Sequence, residues 1–469
     1  MKRRVVAVLT VGLVAVLLAP WLRADLKEDI EKAVALAGAG HGAEARPVLE
    51  AVLKAGQATP QQRLACYEGL ARICHDERKY EECRAMVQQA FAENPNAKPD
   101  TMVMCQHWLA ASYVGEGKAE QAIAEFQKAI DMAGDVPAQQ WMKQWVQRLI
   151  ADQYLVLGKD KEALDAIQKS IADYPAIGKE SLGYSYGVLA AVKLHMGAVD
   201  EAIDAFAQRV DAMADQPDRL AWCQNFVNAQ LVPALAKPEN AKFIDPSIEK
   251  LGTLIAKRAD SPPLCDQLQK AMVQLLLRKG DSERGLFEAK VLFDVCSADT
   301  MPEAVRMLTE VLKATDGSVA RANAFLGFVK MGKAGPDKTL GTDDDLTNPL
   351  GEIQPPDAQA RDARFSEALG TYADDWRGKL SKATLYRYWG KPEQALVELN
   401  GAFAICPMEQ QPIQLIVDAT AQVLVQVSGD PDMAEKFTQF QQLGPAGPDG
   451  KKGTPDDLTN PITPYLPEK

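Results

Sequence analysis

Two acidic phrases hold the densest chemistry in the chain. Residues 335–350 read GPDKTLGTDDDLTNPL and residues 447–462 read GPDGKKGTPDDLTNPI, agreeing at eleven of sixteen positions without a gap. Each gathers short carboxylates and an amide around glycines: Asp337, Asp343, Asp344, Asp345 and Asn348 in the first, Asp449, Asp456, Asp457 and Asn460 in the second. Calcium takes about six to eight oxygens, and a glycine-rich turn lets side-chain and backbone oxygens converge on it. The same residues suit a purely local role. Thr342/Asp345 and Thr454/Asp457 are spaced as capping boxes, and Gly-Pro and Asn-Pro are turn signals. A calcium loop and a proline-closed cap both fit the pattern, and no other cofactor is indicated.

The remaining reactive side chains are scattered. The four histidines are His41, His75, His107 and His195, and none stands in a zinc-enzyme motif. Cys66, Cys74, His75, Cys83, Cys105 and His107 fall within 42 residues. Cys66 and Cys105, however, sit at matching places on neighbouring helices about 8–10 Å apart, too far to share one metal. There is no Gly-x-Ser-x-Gly, no phosphate loop and no dinucleotide fingerprint, so no enzyme is expected. One binding constellation does stand out. Trp141 and Trp145 lie i, i+4 apart, with Arg148 and Asp152 continuing the same helical face. Trp and Arg are frequent binding anchors. Both tryptophans are equally suited to packing between helices.

The elements that position these residues follow from a repeat. The phrase Gly-x-x-(Glu/Asp)-x-Ala recurs as GKAEQA (117–122), GAVDEA (197–202) and GKPEQA (390–395), with a near copy GKDKEA (158–163). Weaker versions are RKYEEC (78–83), AKPENA (236–241) and GDSERG (280–285). Starts at 78, 117, 158, 197, 236 and 280 are 39, 41, 39, 39 and 44 residues apart. Apolar residues keep helical spacing on both sides of each start, as Leu109, Ala110 and Tyr113 before Gly117 and Ala122, Phe126 and Ala129 after it. A glycine turn between two amphipathic helices is a helical hairpin, and one hairpin cannot bury its own apolar face. The expected fold is therefore all-α, a solenoid of about ten antiparallel helical hairpins.

At these positions the chain resembles the tetratricopeptide repeat family. Leu109, Ala110, Tyr113, Gly117, Ala122, Phe126 and Ala129 fill its pattern in one unit, with Gln106 at the usual Trp. Ile150, Ala151, Tyr154, Gly158, Ala163 and Pro175 fill it in the next, and Leu189, Ala190, Gly197, Ala202 and Phe206 in the one after. Ala383, Tyr386, Gly390, Ala395 and Pro407 fill a late one. The period is longer than the family's 34, and residues 218–335 match poorly. The resemblance implies a superhelix whose concave groove is lined by the first helix of each hairpin. It places Trp145, Arg148 and Asp152 toward a ligand, together with Glu68, Arg72, His75, His107 and Tyr184 by the same count. A protein or peptide partner is implied.

A longer duplication overlies the repeat. GDSERGLFEAKVLFDVC (280–296) aligns with GKPEQALVELNGAFAIC (390–406), and the acidic phrase closes both blocks. Residues 25–262 read as tetratricopeptide-like repeats, 263–350 and 373–462 as two copies of one module, 351–372 as a linker with the start of the next helix, and 463–469 as a tail. The phrases also resemble the thrombospondin type 3 calcium repeat at Asp449, Gly450, Gly453, Asp456, Asp457, Asn460 and Pro461, although Lys451 and Lys452 stand where an acid is expected.

Residues 1–24, with the basic MKRR and the apolar VVAVLTVGLVAVLLA, have the grammar of a secretory signal or an uncleaved N-terminal anchor. The body is expected to be exported, to the periplasm or beyond the cell. Without Lys2, Arg3, Arg4 and Arg23 the net charge moves from −12 to −16, a poor match for nucleic acid or anionic lipid. No membrane contact beyond the anchor is expected. Eight cysteines are too sparse for a disulfide framework, and their apolar settings predict buried thiols. The expected function is that of a non-catalytic exported scaffold for protein–protein interaction. The alternative is a calcium-binding structural component of the cell envelope or surface.

Overall fold

The computed structural model describes residues 26–466 apart from 174–177, 214–218, 298, 317–318, 334, 339–340, 351–352, 408–409, 429, 431, 449 and 454–456. The signal-like segment 1–24 lies outside the described residues, as do Asp449 and Asp456. Among the described residues every regular element is helical, which is the all-α hairpin architecture the repeat predicts. None of their helices is long and apolar enough to cross a membrane. The chain divides into two compact units, Met1–Ala214 and Asp215–Lys469. That division falls inside the span 25–262 that the repeat pattern treats as one series.

The first unit is a run of antiparallel pairs. Helix α1 covers 26–38, followed by α2 (Gly42–Ala55), α3 (Pro60–Asp76), α4 (Tyr80–Glu93), α5 (Val103–Gly115) and α6 (Ala119–Ala133). After these come α7 (Gln140–Val156), α8 (Asp160–Asp173), α9 (Lys179–His195) and α10 (Val199–Ala212). The turns explain the recurring glycine. Gly117 takes φ 72°, which lets Lys118 N donate to Tyr113 O at 2.9 Å and Gly117 N to Val114 O at 2.9 Å. This is a Schellman motif, whose left-handed residue costs little only when it lacks a Cβ. Lys159 N→Tyr154 O (2.9 Å) and Ala198 N→Lys193 O (2.8 Å) repeat it. Between α3 and α4 Arg78 adopts φ 60° in the glycine's place and keeps the bond Lys79 N→Cys74 O at 2.8 Å.

Within each pair small residues let the helices approach. Ala110 and Ala122, Ala151 and Ala163, and Ala190 and Ala202 are all fully buried where the two helices meet. Phe126, Val146, Ile150 and Ile167 fill the space to the neighbouring pair.

The second unit opens less regularly. Helix α11 (Arg219–Asn225) passes through a π-helical stretch, Phe226–Leu231, into α12 (Val232–Leu235). AKPENA forms no glycine turn. Lys237 is extended and Pro238, lacking an N–H, opens a 3₁₀ segment, Pro238–Phe243, that leads into α13 (Ile244–Lys257). Regular pairs then resume: α14 (Pro262–Lys279), α15 (Ser282–Val295), α16 (Met301–Asp316), α17 (Val319–Met331), α18 (Ala358–Leu369), α19 (Trp376–Trp389), α20 (Pro392–Ile405), α21 (Gln410–Ser428) and α22 (Asp432–Leu443).

Geometry recurs here at fixed offsets. Gln269 reaches Glu288 at 2.6 Å, and Lys379 reaches Glu398 at 3.3 Å, each partner 110 residues further on. Gly280 and Gly390 close α14 and α19 in the left-handed region. Beyond α16 the offset is 112. Leu346 N donates to Lys333 O at 2.8 Å and Leu458 N to Pro445 O at 3.2 Å. Leu350 is buried with Phe325, and Ile462 with Phe437.

One ion pair ties four helices of this unit together. Arg361 on α18 is 2% exposed and donates to Glu288 of α15, which is fully buried, at 2.6 Å. Its other nitrogens donate to the carbonyls of Tyr388 and Trp389 on α19, while Gln269 of α14 holds the second oxygen of Glu288. The guanidinium also lies 4.7 Å from the centre of the Phe287 ring and 5.1 Å from that of Phe365. Removing one partner strands the other charge, at a cost of about 3–5 kcal/mol, whereas replacing both with apolar groups costs far less. Arg361→Met is therefore expected to lower the stability of the second unit by about that amount. Arg361→Met with Glu288→Leu should recover most of the loss. Urea unfolding, with hydrogen exchange of α15 and α18 to identify the unit, measures both.

Candidate functional site

The first helix of each pair in the first unit contributes to one strip. On α3 stand Glu68, Arg72 and His75; on α5, His107 and Trp108; on α7, Trp141, Trp145, Arg148 and Asp152; on α9, Tyr184. Their rings touch in sequence. His75 lies 5.4 Å from Trp108, Trp108 lies 5.1 Å from His107, and His107 lies 4.1 Å from Trp145, centroid to centroid. Trp145 stacks on Trp141 at 6.1 Å with the planes 17° apart. Arg72 covers Trp108 at 5.8 Å, and Arg148 covers Tyr184 at 4.8 Å. The strip thus brings together Arg72, His107, Trp145, Arg148, Asp152 and Tyr184. Trp141, packed on one side by Trp145, still exposes 45% of its surface.

Burial sets the charge states. His107 is buried against Phe126, Trp108 and Trp145, and desolvation, helped by His75, pushes its pKa down to about 3. It is therefore a neutral ring at ordinary pH. Desolvation lifts Asp152 to about 6, against the pull of Arg148, and raises Glu68 against the pull of Arg72. The same desolvation lowers Arg148, offset by Asp152 and Tyr184. Both carboxylates keep partial exposure while protein crowds them, the condition of a lining residue.

Two nitrogens in the strip, His107 Nδ1 and Trp108 Nε1, are buried without a hydrogen-bond partner among the described residues, while Arg72 Nε faces Asp76 Oδ2 at 3.9 Å. Buried donors are seldom left so. Trp108 is the residue that sequence counting missed. It follows the groove position His107 directly and leans toward the preceding pair, against His75 and Arg72. Its large ring beside a marked position was the available signal.

In the acidic phrases the carboxylates bind their own backbone. Asp344 accepts from Thr342 Oγ1 at 2.7 Å and Asp337 N at 3.0 Å, and the first of these holds its pKa below the usual carboxylate range. Asp345 Oδ2 accepts from Gly341 N at 2.8 Å, while its Oδ1 is buried without a hydrogen-bond partner among the described residues. Asn348 accepts from Leu350 N at 3.0 Å. The second phrase repeats this, with Gly453 N→Asp457 at 2.7 Å and Ile462 N→Asn460 at 3.2 Å. Asp343 is exposed, and Asp337 contributes its backbone N–H and is exposed too. Among the described residues no three His, Cys, Asp or Glu side chains stand close enough to hold a metal ion. All eight cysteines are buried free thiols, and burial pushes Cys66 up to about 11 and Cys83 and Cys105 to about 12.

The sequence matches no protein-family model and no curated protein. Two solved structures show similarity to it. One, from Podosopora anserina, is described as a kinesin light chain with nearly identical TPR-like repeats; it is 22% identical, covers 41% of this chain and 97% of its own, and superposes with a TM-score of 0.35. Another, Naa15/Naa10 bound to HypK-THB, is 12% identical over 92% of this chain and 69% of its own, with a TM-score of 0.20. Likeness at this level says nothing about what this chain binds.

The shifted Asp152 carboxyl has a signed consequence. Its folded pKa of about 6 stands above its ordinary 3.8, so the folded chain keeps a proton that the unfolded chain has released between those values. Stability from this residue is then greatest below about pH 4 and falls as pH rises through 6. Asp152→Asn is expected to remove that decline. The melting temperature of the first unit measured from pH 4 to 7.5 should favour the variant increasingly as pH rises, and parallel profiles would contradict the assignment.

Proposed function

We propose that the strip on α3, α5, α7 and α9 holds an extended segment of a protein partner, and that the chain is a non-catalytic scaffold working outside the cytoplasm. The observation that carries this reading is the ladder of rings from His75 to Trp141. Flat aromatic faces supply contact area at low entropic cost, and Trp141 keeps 45% of its surface exposed for it. Asp152 and Glu68 add acceptors at either end for donors of the partner. Export rests on residues 1–24.

Peptides selected from a displayed random library on the full chain supply the probe. Trp145→Ala is expected to weaken their binding at least tenfold, about 1.4 kcal/mol, in a tryptophan-fluorescence titration. Trp389→Phe in the second unit should leave binding unchanged. Selected peptides that bind the Trp145 variant equally well would overturn the reading.

A second reading, calcium held by the acidic phrases, is favoured by one observation: the buried, unpartnered Asp345 Oδ1. The capping role predicts that Asp345→Ala and Asp457→Ala each cost about 1 kcal/mol, equally in millimolar calcium and in chelator. A melting temperature that rises only in calcium, and not in Asp345→Ala, would make the first phrase a metal site.

A further inference from the structure

Two acids of the strip lack the donors that acids elsewhere in the first unit have found. Glu77, Glu93 and Glu116 each accept from an arginine, Arg46, Arg63 and Arg84 in turn. Glu68 on α3 and Asp152 on α7 are partly buried, yet neither has a hydrogen bond or an ion pair among the described residues. Their neighbouring arginines are committed elsewhere. Arg72 donates to Gly38 O at 2.7 Å, faces Asp76 at 3.9 Å and lies over Trp108. Arg148 lies over the Tyr184 ring at 4.8 Å and pairs with no carboxylate among the described residues.

The helix between the two acids offers them nothing. At the offsets that relate Arg78, Gly117 and Gly158, Glu68 corresponds to His107 and Asp152 to Ala111, both on α5. His107 is held neutral, and alanine has no donor. A carboxylate crowded by protein loses hydration, and a donor from outside restores what the fold withholds. Burial raises both carboxyls against the pull of the arginines, Asp152 to about 6. The chain as a whole carries a net charge of −12, which draws a cationic segment toward it.

Resting on the reading of the strip as a groove, we propose that the extended segment it holds is basic. That segment lays an apolar or aromatic stretch on the Trp145 and Trp141 rings. It sets a lysine or arginine on Asp152 at one end and another on Glu68 at the other. A cation on Asp152 favours its ionised form, so binding releases a proton near pH 6 and tightens as pH rises. The groups that face Asp152 are Arg148 on its own helix and, across that arginine, the phenol of Tyr184 on α9. Those that face Glu68 are Arg72 on α3 and Cys105 on α5. His75 adjoins Trp108 at the other end of the ladder from Trp141.

The probes are N-terminally acetylated, histidine-free peptides selected from a displayed random library on the full chain at pH 7.5. Each has a twin in which acetyl-lysine replaces lysine and citrulline replaces arginine, so that length is kept and charge is lost. The selected peptides are expected to carry two basic positions flanking an apolar one, and the twins to bind at least tenfold more weakly. Affinity for the charged peptides should fall about tenfold from pH 7.5 to 5. Asp152→Asn, which is expected to fold at least as stably, should bind at pH 7.5 as weakly as the parent chain does at pH 5, with no slope between. Glu367→Gln, an equal change of charge on exposed α18, should leave binding as it was. Twins that bind equally well, or selected peptides rich in acids, overturn the basic segment, while a loss in Trp145→Ala would still uphold the groove. A pH slope that persists in Asp152→Asn assigns the proton to another group and overturns the proposal too. Peptides indifferent to both Trp145→Ala and Asp152→Asn overturn groove and basic segment together.

Discussion

An antiparallel helix pair buries one stripe of each helix against the other and leaves further apolar stripes that only a neighbour can cover. Everything else in this chain follows from that constraint. It requires small residues inside the pair, such as Ala151 against Ala163, and a glycine or a strained substitute at each turn. It also requires bulky side chains such as Phe126 and Phe325 between pairs. Where the stacking needs more than apolar area, the chain uses a buried charge. Arg361 and Glu288 do not add much net stability as a pair, but neither tolerates any other neighbour, and they fix which helix meets which.

The same constraint explains what the sequence displayed and what it hid. Turn glycines are legible because backbone geometry dictates residue type locally, so Gly117, Gly158, Gly197 and Gly390 mark the hairpins directly. Arg78 was readable only through its neighbours, since any residue forced into φ 60° loses the signature. The segment 236–243 misleads for the converse reason: it keeps the acid and alanine of the repeat but replaces the glycine, and Pro238 then imposes a different turn. Counting along the first helices places Arg72, His107, Trp145, Arg148 and Tyr184 on one strip of touching side chains, because helix geometry fixes direction well. Trp108 escaped because its role depends on the preceding pair, and Arg361 because its partner lies 73 residues away. Contacts of that range leave no local pattern.

In the strip of the first unit, aromatic surface and charge are arranged at little cost to the fold. His107 is held neutral by its surroundings, so the ring contributes area and one nitrogen without a buried charge. The arginines rest on rings, Arg72 on Trp108 and Arg148 on Tyr184, which orders them while leaving their polar edges usable. The acidic phrases do the reverse. Asp344, Asp345 and Asn348 turn inward to their own backbone, and the visible product is the placement of Leu350 and Ile462 against the last helix of each module.

The buried thiols carry a consequence for the life of the molecule. With Cys83, Cys105 and Cys296 raised to about 12, only on the order of one of these thiols in 10⁵ is ionised at neutral pH, and all eight cysteines are buried. Folded, the chain is indifferent to the redox state of its surroundings. Unfolded, the same eight groups return to ordinary thiol reactivity. Its exposure to oxidation is consequently set by the fraction of molecules that are open at any moment.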